Sequence, residues 1–99
     1  MMDKDEIMML LDEIPHPAIN YSLRKLGILS EIKAEGDMVS AVFAFPFPIA
    51  KIPIADRIIQ SVAVTLENFH LSFAYTTRVM TEPERQNFLK LEHEAWKGL

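Results

Sequence analysis

The chain has 99 residues, a net charge of −4, a hydrophobic content of 49% and no cysteine. This length and composition predict a single folded domain spanning residues 1–99, and they exclude disulfides, thiolate metal ligands and cysteine nucleophiles within the chain. Its ten Lys and Arg residues are scattered, which argues against a nucleic acid partner because phosphate binding needs clustered cations.

The sequence also argues against a membrane partner. No apolar run approaches the roughly 18 residues of a membrane span, and the acidic N-terminal sequence lacks the positive charge of a signal peptide. We therefore expect a cytoplasmic protein.

The first element is predicted to be a helix. Asp3 and Glu6 have the spacing of a capping box, and apolar residues follow at helical intervals until Pro15 stops the helix. Residues 19–26 predict a short helical turn, with Gly27 in the position just past its end.

A β-hairpin is predicted next. Residues 28–35 and 38–47 both alternate along the chain and are joined by a compact turn sequence. In the first strand the alternation places Leu29 on one face of the sheet. The opposite face carries the even-numbered residues Ile28, Ser30, Ile32 and Ala34.

The second half predicts a helix, a strand and a final helix. Pro53 suits the first turn of a helix, which continues through apolar residues at four-residue intervals: Ile54, Ile58, Val62 and Leu66. Residues 69–76 alternate as a third strand. Thr81 and Glu84 then form a second capping box, and the last helix extends toward Gly98.

This order, αββαβα, predicts an α+β fold with a small three-stranded sheet. A helix between the second and third strands permits a parallel crossover. We expect the helices to pack on one face of that sheet.

Reactive residues do not form a pattern typical of an enzyme. The three histidines are too far apart in sequence to suggest a local metal motif, and the serines and glycines lack a nucleophile elbow or a phosphate loop. We therefore predict no catalytic residues, no metal and no cofactor. An enzyme that pairs His16 with a carboxylate is an alternative that no spacing favours.

Residues 43–56 form a proline-rich junction between the second strand and the second helix. One interpretation is that the prolines only end the strand and set the turn. The other is an ordered surface loop at a helix N-terminus that exposes Phe47 and Ile49 to an apolar partner.

The order of these motifs resembles the iron–sulfur assembly domain family, which includes PaaD, SufT and the N-terminal domain of Mrp/ApbC-type ATPases. His16-Pro17 is similar to the Asp-Pro element of that family, and residues 26–29 resemble its Leu-Gly strand entry. Residues 47–58 stand where the family has its reactive turn, and residues 80–85 resemble the Met-x-x-Glu-Glu-Arg tail of Mrp-like members.

The departures from this pattern limit what the resemblance implies. Ile52 stands at the reactive cysteine, while His16 and Ala18 replace acidic residues and Pro48 and Ile49 replace threonines. Thiolate chemistry and cluster ligation therefore cannot be carried over. The resemblance implies the fold and a role as a small adaptor in or near iron–sulfur protein maturation.

The leading hypothesis is thus a non-catalytic protein-interaction or adaptor module, with iron–sulfur assembly machinery as the implied partner. The candidate partner-binding residues are His16, Asn20, Pro46, Phe47, Pro48, Ile49, Lys51, Ile52, Pro53 and Asp56.

Two alternatives stay open. The helix starting near Pro53 could hold a small anion with help from Lys51 or Arg57, which would make the protein an effector-binding domain. A second copy could complete one of the apolar strand faces, which would make the protein a homodimer.

Overall fold

A computed structural model describes residues 2–97 and confirms the α+β fold in the predicted order. Its elements are α1 (Lys4–Asp12), β1 (Leu29–Glu35), β2 (Met38–Phe45), a 3-10 turn (Ile49–Lys51), α2 (Ala55–Asn68), β3 (Ser72–Val79) and α3 (Glu82–Ala95). The predicted extension of α3 to Gly98 lies outside the described residues. No helix within residues 2–97 is long and apolar enough to cross a membrane.

The three strands form one mixed sheet in the order β1-β2-β3. β1 is antiparallel to β2, and β2 is parallel to β3, so α2 provides the predicted crossover. The sheet therefore carries β2 in its centre and two edge strands.

One face of this sheet builds the core. Along β2, Val39, Ala41, Phe43 and Phe45 are buried, whereas Ser40 and Val42 on the opposite face are only half-buried. The helices contribute the apolar residues that pack with this face in a single cluster, among them Ile7, Leu11, Val62 and Leu66. Burial of a large apolar side chain contributes roughly 1.5–3 kcal/mol, so this face holds the helices in place.

Both predicted capping boxes are confirmed. Asp3 accepts from the backbone N–H of Glu6 at 2.8 Å, and Glu6 accepts from the N–H of Asp3 at 3.2 Å. Thr81 and Glu84 make the same exchange at the start of α3. These pairs satisfy backbone donors that the helix itself leaves unpaired.

The predicted facing of β1 is wrong in its first part. Leu29 pairs with Phe43 and Ala34 pairs with Val39, so Leu29 and Ala34 lie on the same face despite their odd spacing. A bulge causes this, because Glu31 adopts a φ of 49° and the register shifts by one residue.

Only the second half of the helical turn predicted over residues 19–26 forms: the N–H of Leu26 donates to the Ser22 carbonyl at 3.1 Å, and the N–H of Lys25 donates to the Ser22 hydroxyl at 3.1 Å. The first half bonds to the segment before it, since the N–H of His16 donates to the Tyr21 carbonyl at 3.1 Å. The result is a looped segment that ends, as expected, at Gly27, whose φ of +80° suits glycine.

Several predicted boundaries also shift, and among them the end of β3 lies at Val79, three residues beyond the prediction. β2 ends at Phe45 because Pro46 has no N–H for the ladder. α2 begins at Ala55, since the 3-10 turn comes first. β3 begins at Ser72, three residues later than predicted, because His70 takes a left-handed φ of 60° before the chain becomes extended.

Candidate functional site

A cavity of about 240 Å³ opens where the parallel strands β2 and β3 end. Its walls come from the segment between β2 and α2, one side of α3, and the loop that follows α1. Most of its lining side chains are apolar or aromatic, and the three ionisable ones are His16, Lys51 and Glu92. The carboxyl end of parallel strands is a common place for a binding site.

The segment after β2 forms the first wall. Pro46 is buried, whereas the next residue, Phe47, is 47% exposed. The guanidinium of Arg85 lies 5.8 Å from the centre of the Phe47 ring and donates to the Pro46 carbonyl at 3.4 Å. Arg85 also pairs with Glu82. These contacts hold an aromatic ring at the rim while leaving half of it accessible.

The 3-10 turn orders the rest of this wall. The N–H of Lys51 donates to Pro48 at 2.8 Å, and the N–H of Ile52 donates to Ile49 at 3.0 Å. The N–H of Ala55 then donates to Ile52 at 3.1 Å, which joins the turn to α2. The cavity-lining Lys51 and Ile52 are therefore carried by a hydrogen-bonded segment.

α3 forms the second wall. Leu89 and Glu92 lie three residues apart and share one side of the helix, and Trp96, the residue just past its end, also lines the cavity. The end of α3 is fixed by backbone bonds to the loop after α1: the N–H of Asn20 donates to Ala95 at 2.9 Å, and the N–H of Lys97 donates to Ala18 at 3.0 Å. Trp96 remains 55% exposed at the rim.

His16 lies in the buried part of the cavity wall, with only 4% of its surface exposed. Its Nδ1 accepts from the backbone N–H of Ala18 at 2.9 Å. Burial, together with the nearby Lys97, lowers the pKa of His16 from 6.5 to about 4. The ring is therefore neutral at pH 7, and because Nδ1 accepts, its proton is on Nε2.

This hydrogen bond defines the chemistry of His16. A carboxylate that oriented a catalytic histidine would accept from an Nδ1–H, but here Nδ1 is itself the acceptor. The arrangement favours a structural role in ordering residues 16–18. It also leaves Nε2–H as a donor for a bound group.

The structure brings six of the ten predicted partner-binding residues to this cavity: His16, Pro46, Phe47, Lys51, Ile52 and Pro53. The other four do not line it. Pro48 and Ile49 belong to the exposed turn beside it, Asp56 is exposed in the first turn of α2, and Asn20 uses its N–H to hold α3.

The sequence interpretation missed the wall formed by α3. In the sequence, Phe88, Leu89 and Trp96 belong to the apolar side of the last helix, and nothing in their spacing marks them as part of a site. Apolar residues at helical spacing indicate only a side that packs on the core, so the exposure of Leu89 and Trp96 is apparent from the structure alone.

The start of α2 has properties that weaken the anion-binding hypothesis. Its N-cap, Ile54, offers no side-chain cap, so the helix end does have backbone donors to satisfy. However, Asp56 places a carboxylate in the first turn. That charge already stabilises the positive end of the helix and repels a second anion.

No group of three or more His, Cys, Asp or Glu residues within residues 2–97 is arranged to hold a metal ion. No family model matches the chain, and no curated protein matches it.

Proposed function

We propose that the protein is a non-catalytic interaction or adaptor module that binds a partner protein in the cavity between the β2–α2 segment and α3. The observation that carries this proposal is the concentration of exposed apolar side chains around one concave site. Phe47, Leu89 and Trp96 are all large, accessible and part of its lining. Aromatic anchors beside a pocket are typical of the energetic centre of a protein interface.

The size of the cavity supports a protein partner over a free cofactor. Small-molecule sites usually occupy about 300–1,000 Å³, and this cavity has about 240 Å³. It suits one or two apolar side chains of a partner, and Lys51 and Glu92 supply charges of both signs for polar contacts beside them. The donor Nε2–H of His16 would favour a partner carbonyl or carboxylate.

An association with iron–sulfur protein assembly is part of the proposal and rests on the resemblance of the sequence motifs. Ile52, which stands at the family's reactive cysteine, lines the cavity. An isoleucine at this position cannot act as a thiolate, but it can make apolar contacts with a partner. The same proposal places the protein in the cytoplasm.

Affinity capture with matched surface variants tests this function. The bait proteins are the natural chain, Phe47→Asp and Met9→Asp. Met9 is the control because it is 67% exposed on α1 and does not line the cavity. A charge at Phe47 should lower the amount of captured partner at least about tenfold, as expected for an interface anchor. A charge at Met9 should leave that amount unchanged.

Quantitative mass spectrometry of the captured proteins distinguishes the outcomes. A protein retained by the natural chain and Met9→Asp, but lost by Phe47→Asp, supports the cavity as the docking site. If every specific partner stays bound to Phe47→Asp and to a Lys51→Glu variant, the proposed surface is wrong.

A further inference from the structure

The outer edge of β3 has unsatisfied backbone groups. The N–H of Ser72 donates to Asp37 and the N–H of Met80 donates to Phe45, so the even-numbered residues of β3 direct their backbone groups toward β2. The odd-numbered residues therefore direct their backbone N–H and C=O groups away from the sheet. They are Phe73, Tyr75, Thr77 and Val79. Within residues 2–97, no hydrogen bond reaches these outward groups of Phe73, Tyr75 or Thr77.

The two edges of the sheet differ in how they resist pairing. β1 carries three charged residues, Glu31, Lys33 and Glu35, and a bulge at Glu31. Charges and bulges of this kind are protective features of edge strands. β3 has no proline, no lysine and no bulge, and its single charge, Arg78, bonds to Glu84.

The side chains of β3 are also suited to a strand partner. They are rich in aromatic and β-branched residues, and most are exposed. Tyr75 packs edge-on against the buried Phe43, with ring centres 5.5 Å apart, yet remains 48% exposed although it lies on the core-facing side of the sheet. The helices therefore leave part of this face uncovered beside the open edge.

We infer that two copies of the chain associate through β3, with the strands antiparallel about a twofold axis at Thr76. This is the register that pairs all four outward-directed residues: Phe73 with Val79 of the second copy, and Tyr75 with its Thr77. Each such pair exchanges two backbone hydrogen bonds. The association joins two three-stranded sheets into one of six strands.

Charge supports a second copy as the occupant. In this register Arg78 lies opposite Ala74 of the second copy, and the two Arg78 residues are about 13 Å apart along the strands. No like charges face each other directly. The outward N–H and C=O groups of the four residues on one copy also meet the C=O and N–H groups of the same four residues on the other copy. The dimer therefore forms without the repulsion that a charged edge would cause.

A single engineered cysteine tests both the dimer and its register, because the chain has no cysteine of its own. Thr76→Cys places two thiols opposite each other in a non-hydrogen-bonded pair, with Cα atoms about 4.5 Å apart, within disulfide range. Ala74→Cys is the control. It lies on the same strand and face, but its two copies would be about 13 Å apart, beyond disulfide range.

Oxidation of both variants at equal protein concentration is followed by non-reducing electrophoresis. We expect Thr76→Cys to form a covalent dimer at least about tenfold faster than Ala74→Cys. Equal rates for the two variants would overturn the inferred register, since random collision would then explain the crosslink.

Sedimentation of the natural chain tests the association independently. We expect a concentration-dependent rise toward twice the monomer mass and its loss in Thr77→Lys, which adds a charge to the exposed outer edge. Circular dichroism checks that Thr77→Lys is folded. A natural chain that remains monomeric up to millimolar concentration would overturn the inference.

Discussion

The backbone N–H of Ala18 donates to Nδ1 of His16 at 2.9 Å, inside a segment where His16 is almost fully buried. This bond requires a neutral imidazole with an unprotonated Nδ1. It joins the loop after α1 to the cavity wall, because the carbonyl of the same Ala18 accepts from the N–H of Lys97 beyond α3. The protonation state of His16 is therefore coupled to the integrity of the site.

Stability should fall as pH is lowered through this titration. The pKa of His16 is about 4 in the folded protein and 6.5 as its ordinary value, so the unfolded chain takes up the proton first. The stability contribution is fully present above pH 6.5 and is lost progressively as pH falls toward 4. Denaturant unfolding at half-unit pH intervals measures it.

His16→Asn is the matched variant, because the asparagine side chain keeps a polar acceptor near Nδ1 but does not titrate. The slope of the unfolding free energy against pH reports how many more protons the unfolded chain binds than the folded protein. Between pH 6.5 and 4 we expect this number to be lower in His16→Asn than in the natural chain by up to about one proton. An unchanged slope in His16→Asn would show that other groups cause the acid sensitivity.

A second prediction concerns the ion pair at the start of α3. Arg78 donates to both carboxylate oxygens of Glu84 at 2.7 and 2.9 Å, and these bonds lower the pKa of Glu84 to about 2. The carboxyl group is partly exposed, so Glu84→Gln should cost only about 0.5–1 kcal/mol at pH 7. Gln can still accept from the N–H of Thr81, which preserves the cap.

The pH dependence of that variant has a defined sign. Because the folded pKa of Glu84 is below its ordinary value of 4.5, the stabilisation is present above pH 4.5 and disappears as pH falls toward 2. The difference in unfolding free energy between the natural chain and Glu84→Gln should therefore vanish near pH 2. Glu67→Gln, at an exposed position on α2, is the control and should show no such difference.

A third prediction concerns Gly27, which has a φ of +80°. A Cβ atom there would meet nothing within 4 Å, so Gly27→Ala should destabilise only through its backbone conformation, by about 1–2 kcal/mol. Gly27→Asn should cost less, because Asn tolerates this conformation better. Thermal unfolding compares the two, and an equal loss for both would contradict the backbone explanation.

Local sequence patterns were sufficient where the determining contacts are local. The caps of α1 and α3 follow from residues three positions apart, such as Asp3 with Glu6, and the crossover follows from the order of the elements. The bulge at Glu31 was not predictable, because it depends on how β1 pairs with β2. The left-handed His70 ends α2 locally, with the N–H groups of His70 and Leu71 donating to the carbonyls of Glu67 and Leu66, but no glycine marks this position in the sequence.

The candidate site also has one part that local sequence reveals and one part that depends on long-range packing. The proline-rich junction at Phe47 was identifiable because its composition is unusual within the chain. The contribution of Trp96 was not, since it depends on an antiparallel bridge to Ile19, 77 positions earlier in the sequence. Long-range packing of this kind leaves no periodic signal.

The most direct test of the proposed function uses Trp96, the single tryptophan of the chain and a cavity-lining residue. The partner recovered by affinity capture, or its binding segment prepared without tryptophan, is titrated into the protein while Trp96 emission and acrylamide quenching are recorded. We predict a blue shift and at least about twofold lower quenching on binding, together with an affinity at least about tenfold weaker for Phe47→Asp. Tight binding that leaves both Trp96 signals unchanged, and is equally tight with Phe47→Asp, would contradict docking in this cavity.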